Sequence, residues 1–219
     1  MAVNTRKITN TRSKKVIGKF PSVKMNAVVW WESQLERDYL YLLEIDPNVL
    51  AYQEQPFTLA YESPDKRKKY TPDFFVERYS SKQVVEIKPA NKVEDFRNSR
   101  RFSQVIKFCS VNSLEFLILT EDLIRIQPRL SNIKLLYKYA QISFPWSLYA
   151  NCFDYLSLQK ISTISETEES LRTKGMTRSC LLKLLWDGFL LTDLMKPISS
   201  SSPIKLSSSA FNWKIGAEI

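Results

Sequence analysis

Residues 70–92, YTPDFFVERYSSKQVVEIKPANK, contain two apolar segments separated by a short polar turn. Their aromatic and β-branched residues predict one strand over 70–79 and another over 83–88, joined closely enough to pair. Pro72-Asp73 lies in the first strand, and Glu86-Ile87-Lys88 ends the second. Two carboxylates and an ammonium group on such short strands need an explanation.

The directions of the side chains indicate that these charges converge. Residues two apart in a strand share a face, so Glu86 and Lys88 project to the same side. If the strands pair, Asp73 lies near Glu86 at one end of the sheet. Carboxylates that close repel each other unless a cation lies between them, and oxygen ligands favour Mg²⁺ or Mn²⁺. An ordinary solvated strand is the alternative, because short patterns of common residues recur by chance.

The composition restricts the possible chemistry. The chain has 219 residues and no histidine, which excludes His-dependent triads, HNH-type nucleases and His-containing zinc sites. Any hydrolysis must therefore use carboxylates, lysine and a hard metal ion. Lys and Arg outnumber Asp and Glu by 32 to 23, which favours a polyanionic partner such as nucleic acid.

The cellular setting is predicted from two absences and from the cysteines. The sequence has no apolar run of membrane-spanning length and no signal-peptide pattern. Its three cysteines, Cys109, Cys152 and Cys180, are scattered and odd in number. That usage is typical of a reducing cytoplasm.

The order of predicted elements is helix, three strands, helix, strand, helix, which indicates an α/β fold with a mixed sheet flanked by helices. We expect this domain to span residues 25–148, after a basic arm over 1–24 that has no acidic residue. The arm is either a solvated tail or a segment that follows DNA. The predicted bounds are a helix over Met25–Glu44, strands over Val49–Glu62, Tyr70–Tyr79 and Gln83–Lys88, a helix over Lys92–Cys109, a strand over Leu114–Thr120 and a helix over Glu121–Tyr139.

The first predicted helix carries carboxylates on its apolar side. At 100° per residue, Glu32 and Glu36 fall within the apolar arc, whereas Glu44 falls outside it. A carboxylate that faces a core costs several kcal/mol unless it is paired or binds a metal. Either explanation, a metal ligand or a structural ion pair at a wet edge, remains open at this point.

Residues 149–219 predict a small, mainly helical C-terminal domain. Helices over Ser165–Lys174 and Thr177–Asp187 are followed by two segments that could form a hairpin. Two helices and a hairpin outline a winged helix-turn-helix, and a plain helical interaction domain is the alternative.

Several motifs together carry a resemblance to a known family. The segments TPDFF and VVEIKP resemble the PD-(D/E)xK superfamily of Mg²⁺-dependent nucleases, which have a restriction-endonuclease-like fold. More narrowly, the segments ESQLERDYLYLLEIDPNV, YQEQPF, TPDF, EIKPA and SRRF…LEFLILTEDLI resemble the TnsA family in this order. Members of that family are the endonuclease subunits of heteromeric cut-and-paste transposases in bacteria, and the similarity spans about residues 25–130.

The resemblance implies a set of site residues. Glu36, Asp73 and Glu86 would hold Mg²⁺, with two ions expected, Mn²⁺ as a substitute and the Ile87 carbonyl as an extra ligand. Lys88 would act on the attacking water. Glu32 lies nearer the centre of the apolar arc, and the preference for Glu36 comes from the family alone.

One DNA contact is predicted from the residues rather than from the family. Arg97 and Arg101 lie one turn apart on the helix after Lys88, where they could face DNA or pair with Glu94 and Asp95. We expect Arg101 to bind DNA, and we expect the charged turn at Lys66–Lys69 to be merely solvated.

The resemblance also implies a reaction and partners. The non-transferred (5′) strand would be hydrolysed at each transposon end of double-stranded DNA. A TnsB-like DDE transposase subunit would cut the other strand, and a TnsC-like AAA+ ATPase would regulate both. Two other readings are a free-standing restriction-like or repair nuclease and a non-catalytic DNA-binding adaptor. The adaptor reading is weakened because Asp73, Glu86 and Lys88 are all present.

Overall fold

The structure of the protein is a computed structural model that describes residues 17–63 and 66–211. Its chain divides into two compact units, residues 1–126 and 127–219. Most of the predicted basic arm, residues 1–16, lies outside the described residues. The described end of that segment is a strand that belongs to the first unit.

The first unit contains eight strands and four helices within its described residues. In chain order these are β1 (Gly18–Ser22), β2 (Ala27–Trp31), α1 (Gln34–Ile45), β3 (Val49–Glu54), β4 (Leu59–Ser63), β5 (Lys66–Tyr70), β6 (Phe74–Arg78), β7 (Lys82–Ile87), α2 (Val93–Arg97), α3 (Arg100–Val111), β8 (Glu115–Leu119) and α4 (Glu121–Ile124). A single 3₁₀ turn, Ala90–Lys92, precedes α2.

A mixed four-stranded sheet forms the centre of this unit, in the order β3-β6-β7-β8. The pairs β3–β6 and β6–β7 are antiparallel, whereas β7–β8 is parallel. Strands β1–β2 and β4–β5 form separate antiparallel hairpins. The predicted mixed sheet flanked by helices is thus present, and it is compatible with a restriction-endonuclease-like fold.

The alternation of side chains divides the core between the two faces of this sheet. On one face, Phe74 is fully buried and its ring meets Tyr39 of α1 at 5.5 Å. On the other face, Val84 belongs to a buried cluster with Phe96 of α2 and Val105 of α3. The β4–β5 hairpin contributes Tyr61 and Tyr70 to that second cluster, so this hairpin and helices α2 and α3 cover the same face.

The predicted helix over Met25–Glu44 is wrong in its first half. Helix α1 begins at Gln34, and the preceding Ala27–Trp31 is a strand paired with β1. Consecutive β-branched and aromatic residues favour an extended chain there. Ser33 then ends the strand segment, because its hydroxyl accepts a hydrogen bond from the Glu36 N–H and so caps the helix.

Two predicted strands are each divided into two. The segment Val49–Glu62 breaks at Gln55, where φ is +44°, and the segment Tyr70–Tyr79 breaks just before Phe74. The four basic residues from Lys66, expected in a turn, instead form most of β5. Tyr61 of the partner strand β4 is buried, so one face of this hairpin packs against the rest of the unit.

Two predicted helices are also interrupted. The segment Lys92–Cys109 becomes α2 and α3, since Ser99 caps a new helix by accepting from the Phe102 N–H. The segment Glu121–Tyr139 becomes α4 and a helix that begins after the cis peptide bond at Gln127–Pro128.

Within its described residues, the second unit contains four α-helices and a small sheet. Its elements are α5 (Arg129–Tyr137), α6 (Trp146–Gln159), β9 (Ser162–Thr163), α7 (Ile164–Ser170), α8 (Arg178–Trp186), β10 (Leu190–Leu191) and β11 (Pro203–Leu206). The strands pair antiparallel in the order β10-β11-β9. Helices α7 and α8 occupy the segments predicted as helical, and Thr163 and Glu166 form a capping box at the start of α7.

The leucines of α8 anchor this unit. Leu181, Leu182, Leu184 and Leu185 are all buried, and Met176 is buried just before the helix. Across residues 17–63 and 66–211, we find no helix that is long and apolar enough to cross a membrane.

Candidate active site

The register of β6 and β7 places Asp73 opposite Glu86. Phe74 pairs with Val85, so the residue before Phe74 faces the residue after Val85 across the same two strands. The Ile87 N–H donates a hydrogen bond to Asp73 Oδ2 at 2.6 Å. The Gln55 N–H donates to the Asp73 backbone carbonyl at 2.9 Å. These backbone bonds from β7 and from the end of β3 fix Asp73 at the end of the sheet.

Glu86 is buried, with 3% of its surface exposed, and it is held from two sides. The Tyr70 hydroxyl donates to Oε2, and the Lys88 ammonium donates to Oε1 as an ion pair. Lys88 also lies 5.3 Å from the centre of the Phe96 ring. The sequence therefore predicted correctly that Glu86 and Lys88 share one face of β7.

Electrostatic repulsion is built into this arrangement. Burial, then the Glu86 carboxylate and then the Glu36 carboxylate raise the pKa of Asp73 well above its usual value. The Lys88 ammonium and the Ile87 N–H oppose that rise. Asp73 therefore lies close enough to two other carboxylates for their charges to disfavour its own ionisation.

Glu36 occupies the third helical position of α1 and takes part in capping. Its Oε2 accepts a hydrogen bond from the Glu32 N–H at 2.7 Å. The Glu36 carboxylate contributes to the raised pKa of Asp73, after burial and Glu86. Glu32 itself precedes the helix, and its carboxylate accepts from the Gln55 side-chain amide at 2.9 Å. The helical-arc argument for Glu32 therefore fails, because this residue is not on the helix.

The donor set matches what a hard cation requires, although its oxygens are engaged in protein contacts. Asp73 and Glu86 offer carboxylate oxygens at the same point of the sheet, in an environment that already favours added positive charge. Within the described segments, no group of three or more Asp, Glu or Cys side chains is arranged as a ready-made metal cage.

Arg101 is the second residue of α3 and is exposed. Its guanidinium lies 5.5 Å from the centre of the Phe96 ring. It also opposes the rise in the pKa of Tyr70 that burial and Glu86 cause, so its charge lies near the Tyr70–Glu86 pair. Among the described residues, no salt bridge joins Arg101 to Glu94 or Asp95.

Two residues of this site were missed by the sequence reasoning. Tyr70 was treated as the start of a strand, yet its hydroxyl holds Glu86. Gln55 lies in the segment YQEQPF, and its left-handed backbone lets one residue contact both Asp73 and Glu32. The sequence signal for Tyr70 is its position three residues before Asp73. This signal is informative only once it is known that β5 ends at Tyr70 and that β6 begins at Phe74.

Paired acidic side chains and a lysine at one end of a mixed sheet are typical of metal-dependent nucleases that cut phosphodiesters. A comparison with protein families points the same way: residues 46–121 match the family described as TnsA-like endonuclease N terminal. Asp73, Glu86 and Lys88 lie within the matched segment, and Glu36 precedes it. The match supports a nuclease related to transposition. No curated protein matches the chain.

Proposed function

We infer that the protein is a Mg²⁺-dependent DNA endonuclease subunit of a heteromeric cut-and-paste transposase. It would hydrolyse the non-transferred (5′) strand at transposon ends. The observation that carries this proposal is the pair Asp73–Glu86, joined to Lys88, inside the segment that resembles the TnsA-like endonucleases.

The proposed metal ligands are Asp73, Glu86 and Glu36, with the carbonyl of Ile87 as an additional donor. Bound Mg²⁺, as one ion or two, would offset the repulsion between the carboxylates and stabilise negative charge on the scissile phosphate. Mn²⁺, which has the same preference for oxygen, would substitute for it. The raised pKa of Asp73 supports this assignment, because a cation relieves the repulsion that raises it.

Lys88 has an electrostatic role in this proposal. It donates to the Glu86 carboxylate in an ion pair. Its remaining N–H groups can hold the attacking water or a phosphate oxygen. Tyr70, by donating to Glu86, holds that carboxylate in place.

The overall reaction is hydrolysis of one phosphodiester. The water oxygen forms a bond to phosphorus while the bond from phosphorus to the 3′ oxygen breaks. The water loses one proton and the leaving oxygen gains one. The products are a 5′-phosphate and a 3′-hydroxyl.

The partners in this proposal are a TnsB-like DDE transposase, which would cut the other strand, and a TnsC-like AAA+ ATPase regulator, in a bacterial cytoplasm. The second unit would be a winged-helix domain that contacts the regulator and DNA. Its order of elements, α6, β9, α7, α8, β10 and β11, supports that assignment. The antiparallel β10–β11 pair would be the wing.

Strand-resolved cleavage of a labelled transposon-end duplex with Mg²⁺ tests the function. The wild type is compared with Asp73→Ala and Lys88→Ala, each with and without the transposase subunit and its ATPase. We expect one strand to be cut only with the partners present and neither variant to cut it.

Two results would change the proposal. Efficient cleavage of plain duplex by the wild type alone would indicate a free-standing nuclease. Unchanged cleavage in both variants would show that the catalytic centre lies elsewhere.

A further inference from the structure

A basic groove lies between the β4–β5 hairpin and the start of α3. Its volume is about 700 Å³, and every charged side chain that lines it is positive. The lining residues are Tyr61, Lys66, Arg67, Lys68, Lys69, Ser99, Arg100 and Arg101. A groove of this size is much larger than a single phosphate ion needs, so its charge suits an extended anion.

The strand pairing orders these cations in a row. Residues two apart share a face, so Lys66 and Lys68 project to the same side of β5 as Tyr70. Lys68 also lies opposite Tyr61, which is buried. That side of the hairpin therefore packs on the helices at its Tyr70 end and presents lysines to the groove at its other end.

The row begins at the proposed catalytic centre. Tyr70 donates to Glu86, and Lys68 and Lys66 follow it along the strand at intervals of about 7 Å. Arg101, near the start of α3, lines the same groove and lies 5.5 Å from the centre of the Phe96 ring. Basic side chains of β5 and of the start of α3 thus line the two walls of one groove.

In the part of the chain that the structure describes, most of these cations have no carboxylate near enough for an ion pair. Among residues 17–63 and 66–211, no carboxylate lies within salt-bridge distance of Lys66, Lys68, Lys69, Arg100 or Arg101. Arg67 meets Glu62 at 4.0 Å, and both side chains are largely exposed, which makes that pair weak. Five cations that repel one another across a groove favour a polyanionic ligand.

We propose that this groove binds the phosphate backbone of duplex DNA beside the phosphate that is cut. The proposal rests on the function proposed above, because it uses the acidic site as the place of cleavage. Successive phosphates of one strand advance by about 3.4 Å along the duplex axis. Neighbouring phosphates also turn around the axis, so their separation along the strand is about twice this rise, and lysines about 7 Å apart on β5 match neighbouring phosphates. The groove positions the strand, and contacts to phosphates carry no base sequence.

Salt-dependent binding tests the groove without using catalysis. The full-length chain is titrated with a fluorescent duplex in the presence of a chelator, and anisotropy is followed over a series of salt concentrations. We expect Lys66→Ala/Lys68→Ala to reduce the slope of log K against log salt by about 2, since each lost phosphate contact removes about 0.9. The loss should be similar for unrelated sequences.

Two matched variants make the result specific. Lys82→Ala/Lys107→Ala removes the same charge from exposed positions of the first unit outside the groove, and it should lower the slope much less. Lys66→Arg/Lys68→Arg keeps the charge and should retain the wild-type slope. Melting temperatures of all three variants confirm that each is folded.

The outcomes separate this proposal from the proposed function. A wild-type slope in the folded Lys66→Ala/Lys68→Ala variant, or an equal loss in the control, would overturn the groove even if the protein cleaves DNA. A groove-specific loss of slope would support it even if strand-resolved cleavage fails. Absence of duplex binding by the wild type would overturn it outright.

Discussion

Two regions of the first unit bury a carboxylate, and they treat it in opposite ways. Glu44 of α1 is 5% exposed and accepts four hydrogen bonds from neutral donors. The donors are the Ser22 and Tyr52 hydroxyls, both at 2.6 Å, and the Val23 and Lys24 N–H groups, at 3.0 and 3.1 Å. Asp73 and Glu86, by contrast, face each other and share their surroundings with Glu36.

The difference shows that burial alone does not identify a functional acid. Glu44 joins the β1–β2 turn to α1 and β3, and each of its oxygens accepts two bonds, so it stabilises the fold. The neighbouring carboxylates disfavour the ionised form of Asp73. In the absence of a cation, an ionised Asp73 at this position therefore lowers the stability of the folded chain. A buried acid that faces other acids is therefore the better indicator of a metal or catalytic site.

Two isosteric amide substitutions, one in each region, test this comparison. We expect the largest loss of activity from the substitution of Asp73. Asp73→Asn keeps an oxygen for the Ile87 N–H but removes the charge that we propose to bind the metal. If the ion supplies several kcal/mol to the transition state, cleavage should fall by about 10³-fold or more. Rates are measured in the strand-resolved assay with partners present. Activity within tenfold of the wild type would place the metal elsewhere.

Glu44→Gln is expected to affect stability and leave chemistry intact. The substitution replaces one acceptor oxygen by an NH₂ donor, which then faces either the two hydroxyls or the two N–H groups. The hydrogen bonds to the remaining oxygen become neutral instead of charge-assisted. We expect a loss of about 3 kcal/mol, or roughly 6–12 °C in melting temperature. Differential scanning calorimetry gives the shift. Cleavage below the melting transition serves as the control and should match the wild type. A Glu44→Gln variant as stable as the wild type would show that the Glu44 carboxylate does not stabilise the fold.

Tyr70→Phe is expected to have an intermediate effect on activity. It removes the hydroxyl that holds Glu86 and keeps the ring in the cluster with Phe96. Loss of a group that orients a metal ligand typically costs 10–100-fold in metal affinity or activity. The dependence of the cleavage rate on Mg²⁺ concentration separates a loss of metal affinity from a loss of activity at saturating metal. We expect Tyr70→Phe to need a higher Mg²⁺ concentration. A purely structural role would lower the melting temperature and leave that requirement unchanged.

The pH dependence of stability should differ between the wild type and Asp73→Asn by a smaller amount. The pKa of Asp73 is raised in the folded state above its usual 3.8, so folding favours the protonated form. Stability from this group is therefore complete below pH 3.8 and is lost as the pH rises through the folded pKa. With a chelator present, Asp73→Asn should gain in melting temperature relative to the wild type as pH rises. A difference that stays constant or shrinks would contradict the repulsion.

The sequence predicted which charged side chains meet at the end of the sheet better than it predicted the local structure around them. Asp73, Glu86 and Lys88 were found because strand alternation and one short turn determine which side chains meet. No knowledge of the rest of the fold was needed. The same holds for β8, a continuous apolar run that becomes the parallel neighbour of β7.

The incorrect predictions concern segments whose structure depends on helix capping or on long-range contacts. Ser33 shortens the first helix, and its effect is hidden in a segment whose apolar residues also suit a helix. Glu44 was placed outside the apolar arc, and its burial depends on Ser22 and Tyr52, residues from other elements. The β5 strand depends on Tyr61 and Tyr70 covering one face of the central sheet, which a run of basic residues does not reveal.

The most direct test of the central claim is metal binding by the isolated protein, because it needs neither the partners nor the DNA end sequence. Free Mn²⁺ is measured by electron paramagnetic resonance in titrations of the wild type, Asp73→Asn and Glu44→Gln. We predict that the wild type and Glu44→Gln bind Mn²⁺, that Mg²⁺ displaces it, and that Asp73→Asn loses the binding. Equal binding by Asp73→Asn, or loss of binding only in Glu44→Gln, would contradict the assignment of the acidic pair as the metal centre.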